Sequence, residues 1–176
     1  IIYIIWGTEG MEVELKLVTI GEKEILNNLL EKYNYEFTQY DKVPFNEIGL
    51  FSYRYLDNYW TDEDRFPYFI IVNKKLAGFA LINKHPECDK PIDWAVAEFF
   101  VSYNFRRSGV ATIVMKKIFE IHKGYWHIKY HSKNVASSIF WNKIAEKQSN
   151  NNYEVVKGNE NYYDGTEAKV LFFNVE

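Results

Sequence analysis

Two short stretches hold the residues best suited to chemistry. The first is Arg106-Arg107-Ser108-Gly109-Val110-Ala111, which opens a segment with helical spacing. A helix start leaves about four main-chain N–H groups without intrahelical partners, and its dipole puts roughly half a positive charge there. Oxyanions bind well at such ends. Gly109 removes the Cβ that would block close approach, and Ala111 keeps the next turn slim. Ser108 adds a hydroxyl, while Arg106 and Arg107 add charge. N–H groups of Arg107 to Ala111 converging on a pyrophosphate would each contribute ~1.5–3 kcal/mol. Together they outweigh a solvent-screened arginine contact of ~1 kcal/mol or less. The plain alternative is an ordinary strand–helix turn with basic residues beside it.

The second is Glu98, which interrupts the apolar run Trp94–Val101. An ionised carboxylate on a central apolar strand is costly unless something pairs with it or uses it. Burial raises a carboxyl pKa toward the working pH, which suits a general base. A nucleophile that is protonated at neutral pH would need such a base. Three readings stay open: a base acting directly or through water, a holder of a cationic substrate, or an outward-facing side chain.

These residues need a strand to carry Glu98 and a helix to follow Gly109, and the surrounding pattern supplies both. Val13, Leu15 and Leu17 alternate as in a half-buried strand. Residues 22–40 read as helix, with Ile25, Leu29, Leu30 and Tyr33 on one stripe. The aromatic and acidic stretch that follows predicts a short helix near Ser52–Leu56. Two apolar strands flank Asn73–Lys74, a hairpin signal. Residues 92–102 are apolar on both faces and read as a central strand. Val110, Ile113, Val114, Ile118 and Ile121 keep helical spacing, and residues 124–130 form a short strand. Asn134 caps a last helix with Ile139, Phe140 and Ile144 facing inward, and two strands close the chain. The order is mixed α/β, largely antiparallel at first, with a strand–helix–strand crossover in the middle.

Of the 176 residues, 47% are hydrophobic and 18% aromatic, so the chain is globular and long enough for one domain with a sizeable core. Residues 11–176 are expected to form it. Residues 1–10 precede Met11 and read as a cloning remnant or translated leader, though their apolar run could add an edge strand. That run is too short to span a bilayer, so no membrane partner is expected. A net charge of -3 gives no electrostatic case for nucleic acid. The single cysteine, Cys88, allows no internal disulfide, suits a cytoplasmic location and excludes a cysteine-based zinc cluster. No basic neighbour activates Cys88, so it reads as inert. His127 and His131 read as surface or interface histidines, and no metal site is expected. Neither G-x-x-x-x-G-K-[ST] nor G-x-G-x-x-G is present, which weakens a nucleotide-binding α/β domain.

The hexad Arg106–Ala111 resembles the R/Q-x-x-G-x-G/A signature of the GNAT superfamily of acyl-CoA-dependent N-acetyltransferases. Asn134, Ser137, Phe140 and Trp141 resemble that family's later N-x-x-A-x-x-[FYL]-[YW] helix. The likeness covers about residues 66–147. It implies a GNAT-like α/β (α+β) fold, a mixed and mainly antiparallel twisted sheet flanked by helices, with two splayed central strands. Here these would be residues 93–102 and 126–130.

The resemblance further implies acetyl-CoA as cofactor, without a metal. Its pyrophosphate would sit on Arg106, Arg107, Ser108, Gly109, Val110 and Ala111. Its pantetheine arm would pair with the main chain of Phe99, Phe100 and Val101 by strand addition. Asn134, Ser137 and Phe140 would line the arm, a role compatible with Asn134 as a helix cap. Many family members offer a tyrosine on the last helix to protonate the leaving thiolate. Trp141 stands at that position instead, and indole N–H is a donor but no useful acid. Tyr130 and His131 are the substitutes, and the thiolate could also leave unaided.

Tyr53, Tyr59, Trp60 and Asp62 lie where the family builds its acceptor site, and aromatic faces with carboxylates attract a cationic amine. The alternative is a solvated acidic loop. The expected function is transfer of acetyl from acetyl-CoA to a primary amine by direct attack, with Glu98 as base. The acceptor, a small molecule or a protein amine, is not identified. The alternative is a noncatalytic acyl-CoA-binding regulatory module. The many aromatics leave room for a homodimer.

Overall fold

The computed structural model describes residues 1–6 and 10–176. Its strands are β1 (Ile2–Trp6), β2 (Glu12–Leu17), β3 (Arg65–Val72), β4 (Lys75–Asn83), β5 (Trp94–Val101), β6 (Gly124–His131), β7 (Tyr153–Asn161) and β8 (Glu167–Val175). Its helices are α1 (Lys23–Asp41), α2 (Asn58–Thr61), α3 (Val110–Ile121) and α4 (Val135–Gln148). The strands hydrogen-bond in the order β1-β2-β3-β4-β5-β6-β8-β7. This is the mixed, mostly antiparallel sheet with flanking helices that the sequence predicts. The edge strand β1 comes from the segment set aside as a leader or remnant: Ile2 lies opposite Lys16 and Trp6 opposite Glu12. Residues 7–9 of that segment lie outside the described residues.

The chain divides into two compact units. The first comprises Ile1–Leu30, Tyr53–Asn83 and Ala97–His122. Its β3–β4 hairpin turns at Asn73 and Lys74, with φ of 47° and 63°. Two successive left-handed residues make the turn that matches strand twist, and Asn tolerates that region. Leu15, Ile70, Phe79 and Leu81 are buried within this unit. On β4, Gly78 is obligatory for a steric reason: a Cβ there would stand 1.9 Å from the carbonyl oxygen of Phe100. A 3-10 turn at Ile20–Glu22 precedes α1 and has a capping box in which Glu22 accepts from the main chain and hydroxyl of Thr19. Leu30 is buried as expected, while Ile25 is exposed and Leu26 is buried in its stead. α3 packs on β2 and buries Val110, Val114, Met115, Ile118 and Phe119.

The second unit comprises Glu31–Ser52, Lys84–Val96 and Lys123–Glu176. β6 pairs with β8 along its whole length, from Gly124 opposite Val175 to His131 opposite Ala168. β5 and β6 run parallel but pair only over Trp94–Val96 and Trp126–Ile128. α4 packs on β6 and β8 through Trp141, Ile144 and Ala145. Ile144 faces inward as expected, whereas Ile139 is exposed. His127 and His131 are each only 1% exposed, which corrects their reading as surface residues. Cys88 is buried against Val170 and Phe172.

Candidate functional site

The start of α3 is the most distinctive local structure in the first unit. After β5 the chain makes a tight turn at Tyr103–Phe105, then enters the left-handed region at Arg107 (φ 61°) and again at Gly109 (φ 85°). Gly109 is the residue before the helix, and no side chain caps α3. Its carbonyl accepts from Ile113 at 3.0 Å, the first bond of the helix. Among the described residues, none accepts a hydrogen bond from the N–H groups of Gly109, Val110 or Ala111. These donors and the positive end of the helix dipole suit an anion.

The neighbouring side chains are arranged otherwise than the sequence suggests. Arg106 donates through Nε to the carbonyl of Val101 at 2.5 Å, with its guanidinium 4.1 Å from the ring centroid of Tyr103. The Ser108 hydroxyl donates to the carbonyl of Phe105 at 2.7 Å. Both hold the bend in shape. Arg107 is the exposed arginine of the pair.

Glu98 sits half-buried on the part of β5 beyond its pairing with β6. The main chain alternates along this stretch. Ser102 donates to Ala77 of β4 at 2.8 Å, and the Phe100 carbonyl faces Gly78 of β4. Phe99 and Val101 therefore turn their main chain to the opposite edge. Of the three residues expected to meet the cofactor arm, Phe100 faces the wrong way.

The expected acceptor residues separate into two kinds. Trp60 donates from its indole to the carbonyl of Val18 at 3.0 Å. Asp62 accepts from Arg65 at 3.1 Å and from Asn58 at 3.1 Å, and these bonds with that from Thr61 hold its carboxyl below the usual range. Both residues anchor α2. Their signal was their type, which suits an amine site and a structural anchor alike. Tyr59 is 3% exposed, and burial, then the charge of Glu98, push its phenol up to about 12. The Tyr53 hydroxyl and the Asn83 amide also act on that phenol. Asn83 was missed by the sequence reading. Its signal was a polar residue closing the apolar run of β4, and it is 7% exposed.

In the second unit, Asn134 caps α4 by accepting from the N–H of Ser137 at 3.1 Å. Phe140 meets Trp141 edge-on with ring centroids 4.7 Å apart. Tyr130 is buried, and its hydroxyl accepts from Asn142 at 3.3 Å. His131 accepts at Nδ1 from the N–H of Lys133 (3.2 Å), which puts the proton on Nε2, 3.3 Å from Asp164. With both nitrogens committed and the Tyr162 ring 4.3 Å away, His131 is a structural histidine. No group of histidine, cysteine or carboxylate side chains among the described residues is arranged to hold a metal.

The family model for the acetyltransferase (GNAT) family matches residues 25–143. No curated protein matches the chain. Among solved structures, the GNAT domain of S. lividans PAT is similar with a TM-score of 0.65 and 16% identity, over 99% of this chain and 97% of that one. An acetyltransferase from Thermus thermophilus gives 0.64 and 10%, over 93% and 97%. The ribosomal-protein-S18-alanine N-acetyltransferase from Escherichia coli gives 0.60 and 10%, over 93% and 94%. At these identities the likeness speaks for the fold.

Proposed function

The chain belongs to the GNAT acetyltransferase family, and from that premise we propose that it moves an acetyl group from acetyl-CoA to a primary amine by direct attack. The observation that carries this reading is the start of α3, where the uncapped N–H groups of Gly109, Val110 and Ala111 meet no acceptor among the described residues. They suit a pyrophosphate. Arg107 adds charge from an exposed position. Phe99 and Val101 carry the main chain that suits the amides of the pantetheine arm. Asn134, Ser137 and Phe140 are its assigned contacts in the second unit.

Acetyl-CoA supplies the thioester carbonyl that the amine attacks. In this reading Glu98 takes the proton of the incoming ammonium, directly or through a water, so that nitrogen presents its lone pair. Presenting the free amine at neutral pH otherwise costs roughly 4–5 kcal/mol, at about 1.36 kcal/mol per pKa unit. As the C–N bond forms the C–S bond breaks, the nitrogen gives its second proton to solvent, and the sulfur leaves as thiolate or takes the Tyr130 proton, which solvent restores. Trp141 has no acid to offer. Tyr53 is the acceptor-facing aromatic, since Trp60 and Asp62 are committed to anchoring α2.

The acceptor is an amine of a small molecule or a protein. A cytoplasmic location is inferred from the lone, reduced Cys88, and no helix among the described residues is long and apolar enough to cross a membrane. Tyr35 and Phe45, exposed and stacked 6.1 Å apart, are the aromatics that a homodimer would use.

The test is a thermal-shift titration with acetyl-CoA followed by thiol release over an amine panel. Stabilisation with release is the expected result. Stabilisation without release for any amine would favour a noncatalytic acyl-CoA-binding module, and no stabilisation would overturn both. Glu98→Gln should cut turnover about a hundredfold or more, the scale of a general base, while acetyl-CoA affinity holds.

A further inference from the structure

Tyr130 and Asn142 meet within the second unit, where α4 packs on β6. The side-chain amide of Asn142 lies 2.9 Å from the Ser138 carbonyl, one turn earlier on α4, and 3.3 Å from the Tyr130 hydroxyl oxygen. Both contacts run through one atom, Nδ2. The Ser138 carbonyl can only accept, so it decides which way the amide faces: nitrogen toward it, amide oxygen away. That nitrogen carries two hydrogens, one for each of the oxygens it meets. The orientation of Asn142 is thus set by the main chain of its own helix.

The phenol is constrained in turn. Its oxygen accepts from Asn142, so its own proton has to be directed elsewhere. Among the described residues the Tyr130 hydroxyl has no second partner. His131, the next residue on β6, shows the opposite case, with both ring nitrogens committed to Lys133 and Asp164. A buried hydroxyl whose oxygen is occupied and whose proton is uncommitted calls for an explanation. A proton held ready for a bound partner is one that the arrangement itself suggests.

We infer that Asn142 is a positioning residue for Tyr130: its amide, fixed by the Ser138 carbonyl, occupies the phenol oxygen as a donor and keeps the phenolic proton free for transfer. The contact is a property of the folded protein, and only its catalytic consequence rests on the proposed reading. There, the Tyr130 O–H bond breaks as an S–H bond forms on the departing sulfur, and solvent later restores the proton. The charge left on the phenol oxygen meets the Asn142 N–H. A hydrogen bond to a charged acceptor is about twice as strong as one to a neutral acceptor. The bond therefore strengthens as the proton leaves, and an interaction that grows toward the transition state speeds the step.

Two substitutions of similar size test the arrangement. Asn142→Asp puts an acceptor where the donor stood and should capture the phenolic proton. Asn142→Leu keeps the bulk and removes the donor. The tyrosine doublet in Raman spectra distinguishes a phenol oxygen that accepts from one that donates, and subtracting the spectrum of Tyr130→Phe isolates Tyr130. The expected result, without ligand, is an acceptor signature in the parent, its loss in Asn142→Leu and a donor signature in Asn142→Asp. A donor signature in the parent, or an acceptor signature that survives Asn142→Leu, overturns the inference. Kinetics then separate it from the role given to Tyr130. If Tyr130 is the acid, Asn142→Asp and Tyr130→Phe each cut kcat about a hundredfold, the low end of general acid–base catalysis, while KM for acetyl-CoA holds. The double variant should then be no worse than Tyr130→Phe alone, because the two residues act through one proton. If the Raman signatures change as expected and kcat holds in both single variants, the contact stands and Tyr130 is not the acid.

Discussion

Replacing Gly109 by alanine tests whether the bend before α3 is a built structure or an incidental turn. Nothing in the protein stands within 4 Å of the position an added Cβ would take, so the substitution meets no steric clash. The remaining cost is conformational. At φ 85° and ψ -5° an L-residue sits in the left-handed region, which costs roughly 1–2 kcal/mol. The chain can carry that cost in two ways. If the bend keeps its shape, stability falls by the full ~1–2 kcal/mol and affinity for acetyl-CoA is unchanged. If the bend relaxes in the free protein and re-forms on binding, stability is spared and affinity falls by about 5- to 30-fold, the same free energy read at the binding step. The two losses must therefore trade off and together come to ~1–2 kcal/mol.

Urea unfolding and calorimetric titration with acetyl-CoA measure both on the same protein. Gly109→Asn should lose less on the summed scale, because Asn tolerates the left-handed region better than Ala. Parent-like stability together with parent-like affinity in Gly109→Ala would refute the reasoning. An affinity loss far beyond a hundredfold with stability intact would exceed the conformational cost and point to the added Cβ meeting the ligand itself.

The remaining predictions concern other residues. Burial pushes His127 down to about 4 from the usual 6.5, so on acidification the unfolded chain takes a proton that the folded chain refuses. Stability should fall as pH drops from about 6.5 toward 4, with a loss of about 2 kcal/mol between pH 7 and 5. His127→Phe, unfolded in urea at both pH values, should lack that component, and an identical pH slope would contradict it. Asn134→Ala should cost ~1 kcal/mol by loss of the α4 cap, visible as a melting point lowered by about 2–4 °C. Asn134→Ser keeps a capping oxygen and should restore stability; if Asn134 also meets the cofactor, Ser should not restore affinity.

Where the sequence was readable, local chemistry and tertiary structure agreed. Asn73 and Lys74 sit between two apolar strands and adopt the positive φ values of the turn their types suggest. Asn134 both ends a loop and caps α4. Elsewhere the choice lay beyond local information. Helical periodicity identifies α1 and α4 as amphipathic, but neighbouring stripes differ by only one or two residues, and the surface each packs on decides between Ile25 and Leu26, or Ile139 and Trp141. The short helix forms at Asn58–Thr61, and not at Ser52–Leu56, because Trp60 finds the Val18 carbonyl. His127 and His131 share a strand face by period two, yet only the surrounding structure reveals that both positions are covered.

The arginine pair shows how side chains can be arranged otherwise than their charges suggest. Its charges invite a picture of two guanidinium groups reaching for phosphate. Arg106 instead closes the end of β5 through the Val101 carbonyl and stacks on Tyr103, and Ser108 turns its hydroxyl back to Phe105. Arg107 contributes its left-handed backbone as well as an exposed charge. Strained residues persist only where the surrounding structure over-determines them, and these side-chain bonds supply that restraint. The bend is therefore held by bonds within the folded protein itself. Binding to such a site spends little on ordering the protein. In the proposed reading, Arg106 and Ser108 act first as the frame for a main-chain site, and the residue whose identity the backbone geometry dictates is the one with no side chain, Gly109.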